Sequence, residues 1–401
     1  MRVLLVGSGA REHALAWRLA QSPTLTELHA APGNPGIAQL GHCHPVRADD
    51  RDGLLGLAVT LSADLAVIGP EAPLVAGVAD ELRHAGIAVF GPSAAAARIE
   101  GSKSFAKEVL NAVGVPTAAT LPVARPPCVI KADGLAAGKG VFVCRTAEEV
   151  DDALLKTTAL GGPLVIEELL EGREVSLFAI CDGTQAVPLG AARDFKRVSD
   201  GDLGPNTGGM GAYSPVPWLE SSDELVARIH QPVVLELARR GTPFVGCLFA
   251  GLMLTDDGVR VLEFNARLGD PETQALLPRV EGDLLDALGA AASGRAVDTL
   301  REGSDAAVTI VLAGPEYPER SDYAGASIDG IAEAEAAGAL VFHGGTAMRD
   351  GRLVTNGGRI LSVTAVAPEL EQARRQAYEA VERVSFEGVR FRRDIAAVAG
   401  G

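Results

Sequence analysis

Residues 131–144 read Lys131-Ala-Asp-Gly134-Leu-Ala-Ala-Gly138-Lys139-Gly140-Val-Phe-Val-Cys144, a lysine on an apolar run, a glycine-rich turn and a second apolar run. A phosphate-binding P-loop needs four residues between its first two glycines, a Ser or Thr after its lysine, and a helix beyond. Here Gly134 and Gly138 enclose three residues, Gly140 replaces the hydroxyl residue, and a strand pattern follows. What remains is a glycine-rich flap between two strands, entered from a strand that carries Lys131. Its backbone N–H groups and the lysine suit the charged oxygens of a triphosphate. Without a ligand, so exposed and glycine-rich a flap would be costly in backbone entropy.

Residues 101–115 are helical in pattern and stop at Gly114, with Pro116 just beyond. A linker over 117–127 contains Pro122, Pro126 and Pro127. Past the flap come a helix over 147–160, the run PLVIEELLEG and the run REVSLFAICDG. Strand, turn, strand, helix, strand, strand in this order describes a small α+β lid, at about 118–187. Glu167, Glu168, Leu169 and Glu174 occupy an extended stretch of it. Alone, such carboxylates commonly sit on a solvated face. Beside a phosphate flap, the backbone near Leu169 becomes an adenine-edge reader and Glu174 an acceptor for ribose hydroxyls.

Residues 1–100 alternate apolar runs (3–6, 65–69, 87–91) with helical stretches (13–21, 74–85). This predicts a parallel sheet with covering helices, and ligands at its carboxyl edges over 7–12, 69–71 and 91–93. The turn Gly7-Ser8-Gly9-Ala10-Arg11-Glu12 offers free N–H groups and a helix dipole to an anion. A dinucleotide site would want Gly at 12 and an acid about 20 residues on; Glu12 and Ala30-Ala31-Pro32 stand there. With Arg11 as a fixed positive fork, a phosphate monoester fits better than a pyrophosphate. A tight turn needed only for packing is the alternative.

Between 188 and 316 lie a second glycine-rich stretch (200–213), a helix over 223–240, a hairpin pair turning at Asp256-Asp257-Gly258, and a helix after Pro271. The strand-like run from Val261 puts Glu263, Asn265 and Arg267 on one face by its period of two. An acid, an amide oxygen and a guanidinium are costly to bury without partners. One or two such oxygens, with substrate phosphates and water, are what Mg²⁺ takes; the alternative is a polar stripe facing solvent. Residues 317–401 read as α+β with an amphipathic helix over 368–384. The expected fold is therefore α/β and α+β multidomain: a parallel-sheet domain over 1–100, a central domain over 101–316 with its lid, and a C-terminal α+β domain over 317–401.

The chain of 401 residues carries 36 Lys and Arg against 52 Asp and Glu, a net charge of −16. Such a field repels nucleic acid and anionic bilayers, so neither is expected as a partner, and a phosphorylated ligand must be held by local basic groups. Five cysteines (Cys43, Cys128, Cys144, Cys181, Cys247) are scattered with no C-x-x-C pair, which speaks for a reducing cytoplasm and against thiolate metal sites. Neither a signal segment nor an 18-residue apolar span is visible.

Taken together, GSGAREHALAW, GPEAPLVAG, FGPS, EGSKSFAK, KADGLAAGKG, EELLEG, GPNTGGMGAYSP, EFNARLGDPETQ and TNGGRILSVTA, in this order, resemble the glycinamide ribonucleotide synthetase (phosphoribosylamine-glycine ligase) family of ATP-grasp ligases over nearly the whole chain. The resemblance implies ligation of glycine to 5-phosphoribosylamine with ATP, through a glycyl phosphate, in purine synthesis. It further implies that Lys103 and Lys131 contact ATP phosphates under a flap containing Gly134, Gly138, Lys139 and Gly140. Glu167, Glu168 and Leu169 would form the adenine hinge, Glu174 would hold the ribose, and Glu263 and Asn265 would ligate Mg²⁺ or Mn²⁺. Gly9, Arg11, Glu12, Glu71 and Arg359 are implied at the phosphoribosyl part, Asp270 at an amine, and Arg267 at the glycine carboxylate and transferring phosphoryl group. Such enzymes are expected as monomers or weak homodimers. A mobile loop over 204–214 is expected to close on substrates. The chain departs from the family at Asp194-Phe195-Lys196-Arg197, where many relatives have His second, and at Ala266-Arg267-Leu268-Gly269, where they read Cys-Arg-Phe-Gly. Other readings to be weighed are a ligase with another acceptor, an oxidoreductase using the N-terminal turn, and a nucleotide sensor without turnover.

Overall fold

The computed structural model describes residues 1–134, 140–297 and 300–397. Five parallel strands form the N-terminal sheet, in the order His42–Cys43, Glu27–Pro32, Arg2–Gly7, Leu65–Ile68, Ala88–Phe90. Its central strand is apolar and buried from Val3 to Val6 because both faces are covered there. Leu4 and Val6 pack with Leu54, Ala58 and Leu82, whereas Val3 and Leu5 pack with Leu15, Leu19 and Leu288.

The body is an eight-stranded antiparallel sheet, in the order Gly258–Asn265, Val245–Thr255, Arg173–Asp182, Ala186–Asp194, Gly211–Ser214, Ala306–Ala313, Arg359–Ala367, Leu340–His343. It runs without a break past residue 316, so strands of the central and C-terminal segments share one ladder. A separate three-stranded sheet has Cys128–Ala132 between Val141–Cys144 and Leu164–Glu168. The helix Ala147–Leu160 covers it through Val150 and Ala153, against Cys128, Ile130 and Cys144. That small sheet ends at Glu168; Arg173–Asp182 belongs to the large one.

Two expectations change. The single helix over 223–240 is two, Ser222–Arg228 and His230–Arg239, broken at Ile229 with φ −113°. Pro232, lacking an N–H, cannot bond back to the Arg228 carbonyl and is tolerated only near a helix start. The supposed loop over 204–214 is largely paired: Leu203–Asn206 bonds to Arg197–Ser199, and Gly211–Ser214 is a buried strand inside the large sheet. Gly211 serves close approach there, since a Cβ would stand 2.6 Å from the Thr309 carbonyl oxygen. Among the described residues, no helix is long and apolar enough to cross a membrane.

Candidate active site

A cavity of about 420 Å³ lies where the small sheet, the large sheet and the N-terminal sheet meet. The helix Lys103–Val113 starts at its edge. Ser102 caps that helix by accepting the Phe105 N–H, and Asp133, just before the flap, accepts the N–H of Lys103 at 2.6 Å. Lys103 and Lys107, one helical turn apart, share the face toward the cavity. Lys103 donates to the Gly134 carbonyl at 2.9 Å. Glu167, nearly fully buried, is gripped at both oxygens, by Lys107 at 2.8 Å and Lys131 at 2.6 Å. Burial pushes the Lys103 and Lys107 ammonium groups below their ordinary range, although nearby carboxylates oppose it. Lys131 also donates to the Leu262 carbonyl at 2.9 Å, which ties the small sheet to the strand of Glu263.

Glu263 and Asn265 line the same cavity from Gly258–Asn265. Neither side chain takes a hydrogen-bond partner among the described residues. Nearby, Lys196 is paired with Glu174 and held well above the ordinary lysine range: burial lowers it, but Glu174, Asp194 and Glu263 outweigh that. Burial raises the Asp194 carboxyl against the pull of Lys196, to about 7. Glu272 is raised for the same reason and accepts from Ser176 at 3.0 Å.

Past the end of the strand, Arg267 bonds Glu71 through Nε at 3.2 Å and faces Glu100 at 3.7 Å. Burial would lower that guanidinium, yet Glu100 and Glu71 carry it well above its usual value. Asp270 pairs with Arg359 at 2.9 Å and accepts from Gln274 at 2.8 Å. Burial alone would raise its pKa; Arg359 and Arg11 overcome it, and the carboxylate stays below its ordinary range. The Asp270–Arg359 pair also borders a second cavity, of about 560 Å³, between the turn at Ser8 to Ala10, Asn34, and the glycines Gly344, Gly345 and Gly358.

Most of the expected residues thus converge. Arg11, Glu71, Gly134, Gly140, Asp270 and Arg359 line the first cavity together with the lysines, Glu167, Glu263, Asn265 and Arg267. Others do not. Glu168 is turned to the Ala119 N–H at 2.7 Å, Leu169 is not in the cavity wall, and Glu174 is engaged by Lys196. Gly9 borders the second cavity only. Glu12 lines neither: it is buried, takes the Gly9 N–H at 2.7 Å and pairs with Arg11 at 2.6 Å. An anion at this turn would have to compete with that carboxylate for the Gly9 donor. The glycines are explained instead by Glu12, since a Cβ at Gly7 or Gly69 would strike its side chain at 2.5 and 2.2 Å. Gly138 and Lys139 lie outside the described residues.

Sequence reasoning missed Lys107, Asp194, Lys196, Glu100, Glu272 and Asn34 as wall residues. Lys107 had a signal in its four-residue spacing from Lys103, and the doublets Gly344-Gly345 and Gly357-Gly358 marked close backbone contact. Glu100 had none.

Clustered lysines facing a strand with a carboxylate and an amide, on this three-part frame, define an ATP-grasp enzyme of the ligase class. Family models for phosphoribosylglycinamide synthetase match most of the chain: the N domain at residues 1–100, the ATP-grasp (A) domain at 101–273 and the C domain at 307–398. The chain belongs to the phosphoribosylglycinamide synthetase family. A phosphoribosylamine–glycine ligase of Streptomyces coelicolor is 50% identical over 100% of both chains, and one of Mesorhizobium japonicum is 47% identical over 98% of this chain and 97% of its own. The crystal structure of a Thermotoga maritima phosphoribosylamine–glycine ligase superposes with a TM-score of 0.84 at 34% identity, covering 99% of this chain and 100% of that one. An N5-carboxyaminoimidazole ribonucleotide synthetase from the same organism, at 18% identity and TM-score 0.65 over 96% of this chain and 99% of its own, shares the fold.

Proposed function

We propose that this enzyme joins glycine to 5-phosphoribosylamine, using ATP and yielding glycinamide ribonucleotide, ADP and phosphate, in purine biosynthesis. A glycine carboxylate oxygen attacks the γ-phosphorus, the bond to the β-phosphate oxygen breaks, and ADP leaves. The amine nitrogen then attacks the carbonyl of the glycyl phosphate; phosphate departs and the nitrogen loses a proton. The carrying observation is that the lysine-lined cavity and the glycine-walled cavity meet at one ion pair, Asp270–Arg359.

In this reading Lys103 and Lys131 hold the ATP phosphates beneath the 133–140 flap, Gly138 and Lys139 included. Glu167, Glu168 and Leu169 bound the adenine, and Glu174 the ribose. The Glu174–Lys196 pair must open for that last contact. Phosphoryl transfer needs positioning and charge neutralisation more than covalent help, and Arg267 supplies both to the glycine carboxylate and the moving phosphoryl group. Arg11, Glu71, Gly9 and Arg359 serve the phosphoribosyl part, with Glu12 fixing the turn. Asp270, ionised near neutrality, holds the amine.

Glu263 and Asn265 fit a divalent ion, Mg²⁺ or Mn²⁺: two oxygen donors adjacent on one face, without protein partners among the described residues, leaving positions for phosphates and water. When bound, such an ion neutralises charge on the phosphates. We place the enzyme in the cytoplasm, as a monomer or weak homodimer. The test is isotopic. Glycine labelled with ¹⁸O in its carboxylate should pass one label to phosphate, released only when glycine and phosphoribosylamine are both present; unlabelled phosphate would exclude the acyl phosphate.

A further inference from the structure

On the reading that Arg267 meets the glycine carboxylate and the moving phosphoryl group, we propose that Glu100 is the positioning residue that sets where the Arg267 guanidinium stands. Arg267 is in a loop between the strand Gly258–Asn265 and the helix Glu272–Leu276, so no ladder fixes its backbone. Glu100, on the helix Ala94–Gly101, reaches that loop at two points. One carboxylate oxygen accepts the N–H of Ala266 at 2.7 Å, immediately before Arg267; the other faces Arg267 Nη2 at 3.7 Å. A single side chain therefore holds both the backbone that launches the arginine and the head that it carries.

Glu71 cannot do the same. It touches only the guanidinium, from a five-residue helix, and its side chain is 31% exposed against 9% for Glu100. Glu71 meets the head alone, whereas Glu100 also bonds the chain. Beyond Arg267 the loop is tied at the Leu268 carbonyl, which accepts from Arg11 at 3.2 Å and from Arg267 itself at 3.3 Å, at the Gly269 carbonyl, which accepts from Thr273 at 2.6 Å, and at Asp270, held by Arg359 and Gln274; none of these touches Ala266. Of the five guanidinium N–H groups, Glu71 and Leu268 take two at hydrogen-bond distance. Those remaining are free, among the described residues, for an oxyanion in the cavity that Arg267 lines. Holding the head by a charge beyond hydrogen-bond reach keeps those donors available. Misplacing such a group by about 1 Å costs on the order of 10²-fold in rate.

A double-mutant cycle of Glu100→Gln with Arg267→Ala tests this, with kcat and KM for glycine and for ATP measured by phosphate release, and unfolding midpoints for each chain. Glutamine keeps an oxygen for the Ala266 N–H and removes the charge. The expected result is a loss of roughly 10- to 100-fold in kcat/KM for glycine, an unchanged ATP KM, an unchanged midpoint, and no further loss when the change is made in Arg267→Ala. Equal losses in both backgrounds, or an ATP KM that moves with that of glycine, would overturn the positioning role. Should the glutamine chain fail to fold, Glu100→Asp, which keeps the charge but draws it back by one methylene, undergoes the same comparison. If Arg267→Ala alone turns over normally, the reading of Arg267 falls and Glu100 with it, an outcome distinct from additive losses.

Discussion

Glu167 shows what a single residue can and cannot announce. Its carboxylate run pointed to a hinge, but only the structure sets it between two lysines that come from other elements, 36 and 60 positions upstream. Lys131→Ala should lower kcat by at least about 10²-fold, the scale of losing one oriented charge at a phosphoryl site. The fold should survive, because Lys107 still neutralises Glu167; circular dichroism and a melting curve check that, and a normal rate would remove Lys131 from the phosphate site. Glu263→Gln should be comparably inactive and should bind Mn²⁺ more weakly in a titration followed by electron paramagnetic resonance. Unaltered Mn²⁺ affinity would move the ion elsewhere. Lysines and carboxylates in motifs were legible one at a time. Pairings such as Glu71 with Arg267, 196 positions apart, or Asp270 with Arg359, 89 apart, were not, since nothing local encodes them.

Among elements, apolar runs ending in glycine identified three of the five N-terminal strands but not Glu27–Pro32 or His42–Cys43, and the Asp256-Asp257-Gly258 turn identified the hairpin. The segment over 204–214 misled because glycine signals freedom and close approach equally. At Gly211 the second meaning holds, so Gly211→Ala should destabilise the fold by about 1–3 kcal/mol through overpacking against Thr309. An unchanged melting temperature would contradict that packing. Helix Ala10–Leu19 and strand Leu340–His343 meet through His13, whose Nδ1 accepts the His343 N–H at 2.8 Å. Burial pushes His13 down to about 3, helped by His343, and burial pushes His343 down to about 4. Both pKa values are depressed on folding, so between pH 6.5 and about 4 the unfolded chain binds more protons and stability falls on acidification. The two histidines should therefore pull the melting temperature down below pH 6.5, against the opposite pull of Asp194, whose raised carboxyl takes its proton first in the folded chain. His13→Asn, with an oxygen near the Nδ1 position, should flatten the decline; a slope unaffected by that change would acquit the interface.

Across the whole molecule, three regions of distinct pattern were readable, but their fusion into one eight-stranded ladder was not. Strand order between Ala306–Ala313 and Arg359–Ala367 depends on contacts some 50 residues apart in sequence. Ending the chain at 316 would strip two strands and bare the fully buried edge of Ala306–Ala313. Such a fragment should aggregate, as exposed apolar edges do; a soluble, folded 1–316 product on size-exclusion chromatography would show that the ladder is dispensable there.

The thin partition made by Asp270 and Arg359 has a kinetic corollary. On the proposed reading, a mixed anhydride born on one side of it would meet its amine without a journey through bulk water, where hydrolysis would squander each nucleotide spent. Efficiency of coupling, rather than speed alone, is then what two side chains guard.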